Sequence, residues 1–450
     1  MRRSNTLDLG RGPIFPLLVK MSTPSMAAML FFSIYNLLDS IWLARLGTEA
    51  IAAYTITFPF QMGFVALGVG TGVGASSYIA RMMGAGEWDQ ARTASGQVVF
   101  LSFTLGLIMI ICMTGWPTEI ISAFGGSGRT LKLASDYLLI AVLGAPFLFF
   151  INMTTNLFRA DGRPQEAMYV LVIYAVFGGF LDPLLIFGWG FVPSLGIKGA
   201  ALAAIISQII GALMAIRFFS RQGSRIAPQV HHLKPNPRVI HAIYQTGFPT
   251  IILNLVFGLI TVIYNHTLAP YGPHALGTLS LCFRINGLVM MVLFGIGQGV
   301  MPLVGFNLGA RLYERLVRIV RSALTFSTLV GVISCSVLLI FAGTILSLAT
   351  GDAELRGVAK PAIRFFALTL IFAGPTVVWI NMFIGLGRGI TAMALLFIRD
   401  AFILIPSILL FGHLFGLTGV WISQLAANIL GFLIIGFWAR REVWKIKKGA

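Results

Sequence analysis

The chain has 450 residues, of which 57% are hydrophobic and only 10% are charged, and its formal net charge is +17. Soluble domains average about 45–50% apolar and about 25% charged residues, so this composition excludes a soluble globular protein and indicates a polytopic membrane protein. The three cysteines all lie in apolar segments, and they indicate neither a disulfide framework nor a metal site.

Apolar segments long enough to cross a bilayer core of about 30 Å as helices recur along the whole chain. Twelve are predicted, in chain order at 14–44, 51–80, 94–117, 133–158, 166–190, 196–219, 241–268, 275–306, 318–349, 361–386, 391–413 and 418–439. A segment rich in Arg, His and Pro, residues 220–240, separates the sixth from the seventh. We interpret it as a basic linker between two six-helix lobes, residues 1–219 and 241–450.

The second lobe repeats the first at an offset of about 225 positions, and residues 24–85 align on 249–310 without a gap. The aligned landmarks are prolines and glycines: Pro24 on Pro249, Gly70 on Gly295, Gly74 on Gly299 and, further on, Gly196 on Gly416. An even number of spans in each half means that both halves enter the membrane from the same side. The predicted fold is therefore an all-α membrane protein with two parallel-repeat lobes around a central cleft.

Basic residues favour an orientation with both termini in the cytoplasm. In that orientation the inner segments carry 23 Lys and Arg residues, including Arg2, Arg3 and Arg221, and the outer segments carry 7, as the positive-inside rule requires. This asymmetry accounts for the net charge. We therefore predict contact with the lipid bilayer and no nucleic-acid binding, because no soluble basic domain exists to carry it.

Three carboxylates lie well inside predicted spans, away from the ends, where an ionised side chain is costly and is by default a functional candidate. They are Asp39 in the first span, Asp182 in the fifth and Asp400 in the eleventh. Asp39 aligns with Tyr264, and Asp182 aligns with Ile405, so the second lobe folds without either acid. The helical rise places Asp39 and Asp182 at a common depth, about 12 Å from the outer ends of their spans.

Two tyrosines complete a predicted cation-coupling pocket with these two acids. Tyr35 precedes Asp39 by one helical turn and shares its face, and Tyr137 in the fourth span lies near the same depth. Two neighbouring carboxylates in a low-dielectric site cannot both be ionised cheaply, so we expect one of them to bind and release a proton. A purely structural role, in which the acids anchor helices through hydrogen bonds, is the alternative.

Several other polar residues in the spans have two interpretations. Asn36, Asn152 and Asn156 are candidates for a substrate cleft, with hydrogen bonding between helices as the alternative. Asp400 is flanked by Arg399 and has Arg284 as a second possible partner, which favours a structural ion pair. The sequence contains no ATP-binding, hydrolase or zinc-protease motif, so we predict neither an enzyme nor a cofactor or metal site.

Several strings resemble the multidrug and toxic compound extrusion (MATE) family along essentially the whole chain. They include YNLLDSIWLARLGTEAIAA (35–53), NLFRADGRPQEAM (156–168) and GQGVMPLVGFNLGA (297–310). The resemblance implies an antiporter that expels amphipathic, often cationic organic compounds in exchange for protons or sodium, and we expect a monomer. It also implies a prokaryotic cytoplasmic membrane and a coupling site at Asp39 and Asp182, with Tyr35 and Tyr137 as companions.

Two positions depart from the family members that are proposed to bind sodium in this lobe. Those members have an Asn four residues before the fifth-helix Asp and a Thr in the sixth helix, where this chain has Gly178 and Ala200. Sodium needs several oxygen ligands, whereas a proton needs one carboxylate. We therefore expect proton coupling, with sodium as the alternative. The rival functions are a lipid-linked precursor flippase of the same superfamily, a membrane-embedded lipid-modifying enzyme and a passive channel.

Overall fold

The structure is a computed structural model that describes residues 6–189, 193–220 and 224–448. Arg2, Arg3 and Arg221, which were counted among the inner basic residues, lie outside these ranges, as does residue 190 at the end of the predicted fifth span. Helices account for nearly all of the regular structure in the described ranges.

Fifteen α-helices are present in the described part of the chain, and most of them match predicted spans. In order they are α1 (Ile14–Ala44), α2 (Thr48–Ala85), α3 (Trp88–Gly115), α4 (Pro117–Ala123), α5 (Gly128–Ala141), α6 (Ala145–Ala160), α7 (Pro164–Phe187), α8 (Ile197–Phe219), α9 (Pro237–Leu268), α10 (Pro273–Gly309), α11 (Tyr313–Ile340), α12 (Ala342–Ala349), α13 (Ala353–Gly385), α14 (Gly389–Phe397) and α15 (Ile405–Lys448). One turn of 3-10 helix, Val142–Gly144, joins α5 to α6. A π-helical segment, Ile398–Leu404, joins α14 to α15.

The number of membrane spans agrees with the prediction once the last helical stretch is divided. In the described chain, 11 stretches are long and apolar enough to cross a membrane, and the last of them, Gly389–Lys448, has 60 residues. About 20 residues suffice for one crossing. The stretch is broken at Gly416, whose φ of 59° and ψ of −143° are not helical. It therefore provides two spans, and the predicted all-α fold with twelve spans is confirmed.

The internal repeat extends to the backbone dihedral angles. Gly196, which precedes α8, has φ 56° and ψ −133°, close to the values at Gly416. A positive φ of this kind favours glycine, because other residues carry a Cβ that makes the conformation strained. The aligned glycines therefore mark the same turn in both repeats.

The chain forms two compact units whose boundaries lie inside helices. Unit 1 comprises residues 1–8 and 27–251, and unit 2 comprises residues 9–26 and 252–450. The first part of α1 thus belongs to unit 2, and the first part of α9 belongs to unit 1. Both boundaries follow an internal proline by two residues, at Pro24 in α1 and Pro249 in α9. Proline removes a helical hydrogen bond and commonly kinks a helix.

Glycines of α2 make room for the first part of α9 within unit 1. A Cβ added at Gly74 would overlap the carbonyl oxygen of Ile243, and one added at Gly70 would overlap the side chain of Ile251. Close backbone approach of this kind is what small residues provide between membrane helices.

The aligned residues of the second repeat make the same contacts in unit 2. There, glycines of α10 make room for the first part of α1. A Cβ at Gly299 of α10 would lie 2.6 Å from Ser22 Oγ, and a Cβ at Gly295 would lie 2.6 Å from Met26 Cγ. The glycine stripes of both repeats therefore serve close helix packing.

The linker is held against α3 by one buried side chain. Gln97 Nε2 donates hydrogen bonds to the carbonyl oxygens of His232 (2.9 Å) and Lys234 (2.8 Å), and Gln97 Oε1 accepts from the backbone N–H of Asn236 (3.0 Å). These bonds use both N–H donors of the Gln97 amide and one of the two lone pairs of its oxygen. The described part of the linker is therefore a packed segment of unit 1.

Candidate functional site

The candidate site lies in unit 1, where the second part of α1 and the helix α7 bring Asp39 and Asp182 together. Asp39 is 8% exposed, and Asp182 is 0% exposed. The two carboxylates interact electrostatically with each other. The phenols of Tyr35 and Tyr137 interact with both acids. The structure thus gathers the four predicted coupling residues in one buried cluster, while their role in coupling stays a prediction.

The two carboxylates differ in their hydrogen bonding. Oδ2 of Asp39 accepts a hydrogen bond of 2.9 Å from the hydroxyl of Tyr54. Neither carboxyl oxygen of Asp182 has a hydrogen-bond partner among the described residues. An ionised carboxylate that is buried without donors is costly by several kcal/mol, so Asp182 is the less stabilised of the two as an anion.

Tyr54 is a site residue that the sequence analysis missed. Its ring packs edge-on against Tyr137 with the centroids 5.8 Å apart, and Gln61 Nε2 donates a 3.2 Å hydrogen bond to Tyr137 Oη. A depth count could have found Tyr54: Asp39 is five residues before the end of α1, and Tyr54 is six residues after the start of α2. Two helices joined by a short loop bring such positions to the same depth.

Tyr174 is the second residue that was missed. Its ring meets the ring of Tyr35 edge-on at 5.6 Å, and it stacks on Phe32 at 6.4 Å. Tyr174 also interacts electrostatically with both acids. It precedes Asp182 by eight residues in α7, so the two share one helix face. The spacing of eight residues from Asp182 could therefore have identified Tyr174 from the sequence.

Gly178 occupies the position between Tyr174 and Asp182 on this face. A Cβ built on Gly178 would lie 2.5 Å from Cε2 of Tyr35 and 2.9 Å from its Cζ. The ring of Tyr35 therefore fills the space that a side chain at residue 178 would need. Because the backbone of α7 is bare at this point, the ring packs directly against it.

Ala200, the second position that departs from the sodium-binding pattern, lies in an apolar environment. It is buried in a cluster of hydrophobic residues that includes Leu43, Tyr137 and Ile186. The methyl side chain offers no ligand atom. Neither position 178 nor position 200 adds an oxygen to the site.

The contacts of the three asparagines proposed for a substrate cleft are with residues outside this buried cluster. Asn36 is exposed, and its Nδ2 donates to the carbonyl oxygen of Phe32 one turn earlier (2.8 Å). Asn156 Nδ2 donates to the carbonyl oxygen of Asn152 (2.8 Å). Residues 152 and 156 face glycines of α2: a Cβ at Gly68 would be 3.1 Å from Asn152 Cβ, and one at Gly72 would be 2.9 Å from Asn156 Nδ2. Asn152 and Asn156 therefore pack between helices of unit 1.

The ionisable residues of the eleventh span form the ion pair that the sequence favoured. Arg399 Nε lies 2.7 Å from Asp400 Oδ1, and Arg399 Nη2 lies 3.0 Å from Oδ2. Arg284 is exposed and takes no part in this pair. Asp400 is thus neutralised by its neighbour in the chain.

One group of potential metal ligands lies in the described part of the chain, at Asp89, His231 and His232. His232 Nδ1 accepts the backbone N–H of Gln229 at 2.9 Å, and its Nε2 faces Asp89 Oδ1 at 3.2 Å. With Nδ1 accepting, a neutral imidazole carries its proton on Nε2 and has no lone pair free for a metal. The arrangement fits a hydrogen-bonded structural cap better than a metal centre.

Comparisons with known proteins agree with the geometry. The family model MatE matches residues 24–184 and 249–410, one match in each repeat. The chain is 29% identical over 423 residues to the multidrug export protein MepA of Staphylococcus aureus (strain NCTC 8325 / PS 47), which covers 93% of this chain and 92% of MepA. It is also 29% identical to MepA of Staphylococcus haemolyticus (strain JCSC1435), with the same coverage.

Solved structures share the fold over the full length. An outward-facing multidrug resistance MATE family transporter of the MOP superfamily superimposes with a TM-score of 0.93 at 26% identity, covering 100% of both chains. A MATE crystal structure in a bent conformation gives a TM-score of 0.91 at 26% identity, covering 98% of each chain.

Proposed function

Because the chain belongs to the MatE family, whose members are membrane transporters and not enzymes, we propose that it is a secondary active multidrug efflux antiporter. It exports amphipathic, often cationic organic compounds in exchange for protons. The export function is supported by the resemblance to MepA over nearly the whole chain. We further propose that it acts as a monomer in a prokaryotic cytoplasmic membrane, with both termini in the cytoplasm.

The observation that carries the coupling proposal is the state of Asp182. Its side chain is fully buried next to Asp39, and neither of its oxygens is hydrogen-bonded within the described chain. Protonation removes the cost of a buried charge, and loss of the proton restores it. Asp182 is therefore the group in this site whose charge has the largest effect on local stability, while Tyr54 supports Asp39 as its anionic neighbour.

Protons are favoured over sodium because the site offers few oxygen ligands. The space beside Gly178 is taken by the ring of Tyr35, and Ala200 lies in an apolar cluster. Sodium has to recover most of its hydration shell from protein oxygens, whereas a proton binds one carboxyl oxygen. Two carboxylates and nearby phenols are sufficient for proton exchange.

In the proposed cycle, protons from outside neutralise Asp182 and Asp39, and protonation of Asp39 removes the charge that binds α1 to its hydrogen-bonded partner Tyr54. Affinity for the organic compound falls, and the compound leaves to the outside. The transporter then opens inward, releases the bound protons and binds the next compound. Each charge that crosses 100 mV of membrane potential supplies about 2.3 kcal/mol, so one or two protons support a modest uphill gradient.

The flippase alternative is weakened by the charges in the second repeat. Lipid-linked precursors carry phosphates, so a flippase of this superfamily needs several uncompensated cationic residues. The charge of Arg399 is neutralised by Asp400. Of the two arginines that the sequence analysis placed inside spans, only Arg284 is then left to bind a phosphate. The geometry therefore favours organic cations over phosphorylated lipids.

Transport into proteoliposomes tests the proposal. We expect purified protein to drive ethidium movement when a pH gradient is imposed, and a sodium gradient alone to have no effect. Asp182→Asn should abolish pH-driven transport and leave the protein folded, because the amide is isosteric with the neutral acid. Glu49→Gln provides the control, since Glu49 belongs to an exposed pair with Arg129 that contributes little.

Three results would contradict the proposal. Robust transport driven by sodium at constant pH would show that proton coupling is wrong. Undiminished pumping by both Asp182→Asn and Asp39→Asn would remove the acidic pair from the mechanism. Movement of a lipid-linked precursor in place of ethidium would favour the flippase.

A further inference from the structure

The Arg399–Asp400 ion pair of unit 2 is a membrane-embedded charged group that the coupling mechanism does not use. The guanidinium binds both carboxylate oxygens, at 2.7 and 3.0 Å. The pair lies ten residues after the start of α14 at Gly389, which places it about 15 Å along the span and near its middle. Charged residues at this depth are rare and are commonly part of a functional site.

The local structure holds the pair in position. Adjacent residues in an α-helix diverge by about 100°, which does not favour a bidentate pair between neighbours. The pair lies in the π-helical segment Ile398–Leu404, whose wider turn reduces that divergence, and such segments occur frequently at functional sites. Gly431 accommodates the stem of Arg399: a Cβ there would lie 2.5 Å from Arg399 Cγ and 2.7 Å from Cδ.

The carboxylate belongs to the inward face of its span. Asp400 precedes Leu404 and Ile408 by one and two turns, and both of these residues are buried in the core cluster that contains Tyr264. Tyr264 interacts electrostatically with Asp400, and its hydroxyl donates a 2.6 Å hydrogen bond to Gln424 Oε1. Tyr264 is the residue that aligns with Asp39. The second repeat thus has its own polar cluster near the equivalent position, but its acid is already neutralised.

The pair is partly accessible. The side chains of Arg399 and Asp400 are 24% and 15% exposed, whereas Asp182 is completely buried. Charged side chains within a span generally face protein or water and not lipid, so we expect this exposed part to face a water-filled space. A carboxylate has about four acceptor positions, and the bidentate pair uses two. Asp400 can therefore accept a second cation.

We propose that Asp400 is an anionic contact for the positively charged group of the transported compound in unit 2, and that Arg399 is its internal counterion when the site is empty. This proposal rests on the proposed export of organic cations. A carboxylate that is already paired attracts a further charge weakly, so apolar contacts have to supply most of the affinity. The site therefore selects amphipathic organic cations over small hydrated ions, which would need several more oxygen ligands.

Equilibrium binding to the full-length protein in lipid nanodiscs tests the proposal with two probes, ethidium as the cation and Nile red as an uncharged compound. Asp400→Asn should weaken ethidium binding at least tenfold and leave Nile red binding unchanged. Arg399→Gln should strengthen ethidium binding several-fold, because the carboxylate loses its competing partner. A purely structural ion pair would give effects of the same sign for both variants and both probes.

Two further sets of variants keep the test decisive. Arg388 and Glu442 form another ion pair in unit 2, and Arg388→Gln and Glu442→Gln should leave the affinities for both probes unchanged. If a single variant at 399 or 400 fails to fold, the double variant Arg399→Met with Asp400→Leu removes both charges together. Its ethidium affinity should fall at least tenfold, and wild-type affinity in this variant would overturn the proposal.

The result is independent of the coupling site, because binding is measured at equilibrium without a gradient. If a variant loses pH-driven transport but still binds ethidium, its defect lies in proton coupling at Asp39 and Asp182. Unchanged ethidium binding in Asp400→Asn refutes the second site alone. If the wild-type protein binds no organic cation at all, the proposed function and this inference both fail.

Discussion

The hydroxyl of Tyr54 donates a 2.9 Å hydrogen bond to Oδ2 of Asp39, so the acid of α1 is tied to the helix that follows it. Asp182 has no such donor in the described chain. The anionic forms of the two acids in this buried cluster are therefore stabilised to different extents. This difference assigns them different tasks in the proposed cycle: Asp39 links the charge state of the site to α1, and Asp182 responds most strongly to protonation.

Tyr54→Phe should impair transport without unfolding the protein. The substitution removes the hydrogen bond to Asp39 and keeps the edge-on packing of the ring against Tyr137. A hydrogen bond to a charged group contributes about 1.5–3 kcal/mol, so we expect pH-driven ethidium transport to fall about tenfold. Thermal unfolding of the purified protein provides the control for folding. Wild-type transport by Tyr54→Phe would show that the bond is not used in coupling.

Gly178→Ala should destabilise the site, because its new Cβ would lie 2.5 Å from the ring of Tyr35. Overpacking of this kind costs about 1–3 kcal/mol. The neighbouring Gly179→Ala is a matched control, since a Cβ there would meet only Leu38 Cδ1 at an ordinary 3.7 Å. We expect a lower unfolding temperature and weaker transport for the first variant and near wild-type behaviour for the second.

Relief of the clash extends this test. Adding Gly178→Ala to the Tyr35→Ala variant should cause no further loss of thermal stability, because the small side chain at position 35 leaves room for the added methyl. Equal effects of Ala at positions 178 and 179 would show that the fit between Tyr35 and Gly178 is unimportant.

The positions of the spans and the site were largely readable from the sequence. Apolar runs located the membrane helices, and a helical rise applied to Asp39 and Asp182 placed both acids at one depth, where the structure brings them together with Tyr35 and Tyr137. These inferences depend on regular helix geometry and on the cost of burying charge. Both act locally and leave a clear pattern in the chain.

Other features depend on contacts between distant segments and could not be predicted in the same way. The transfer of the first part of α1 to unit 2 follows from packing against Gly295 and Gly299, which periodicity does not specify. The position of Asn36 on an exposed face depends on which side of α1 faces α7.

Alanine substitutions in the α2 glycine stripe should separate packing glycines from neutral ones. Gly74→Ala places a methyl group on the carbonyl oxygen of Ile243, whereas a Cβ at Gly63 in the same helix meets nothing within 4 Å. We expect Gly74→Ala to lower the unfolding free energy by about 1–3 kcal/mol. Gly63→Ala should be neutral or slightly stabilising, since alanine favours helices more than glycine does. Similar thermal unfolding of both variants would contradict the assigned packing role.

Asp161, in the short segment between α6 and α7, should make stability depend on pH. Burial raises the pKa of its carboxyl to about 7, although Arg163 and Arg225 act in the opposite direction. Arg163 is 3.5 Å from Asp161 and is shared with Glu166. Because the folded-state pKa is raised, the stabilising contribution is complete below the unfolded value of 3.8. It is lost as pH rises through about 7.

Thermal unfolding in detergent between about pH 5.5 and pH 8 measures this dependence, which amounts to a few kcal/mol at most. Asp161→Asn cannot ionise and should flatten the decline in unfolding temperature over that range. Asp352→Asn is the control: hydrogen bonds from the backbone, chiefly that of Leu355, lower the pKa of Asp352, so it stays ionised throughout and its removal should leave the slope unchanged. A slope that persists in Asp161→Asn would assign the pH dependence to another group.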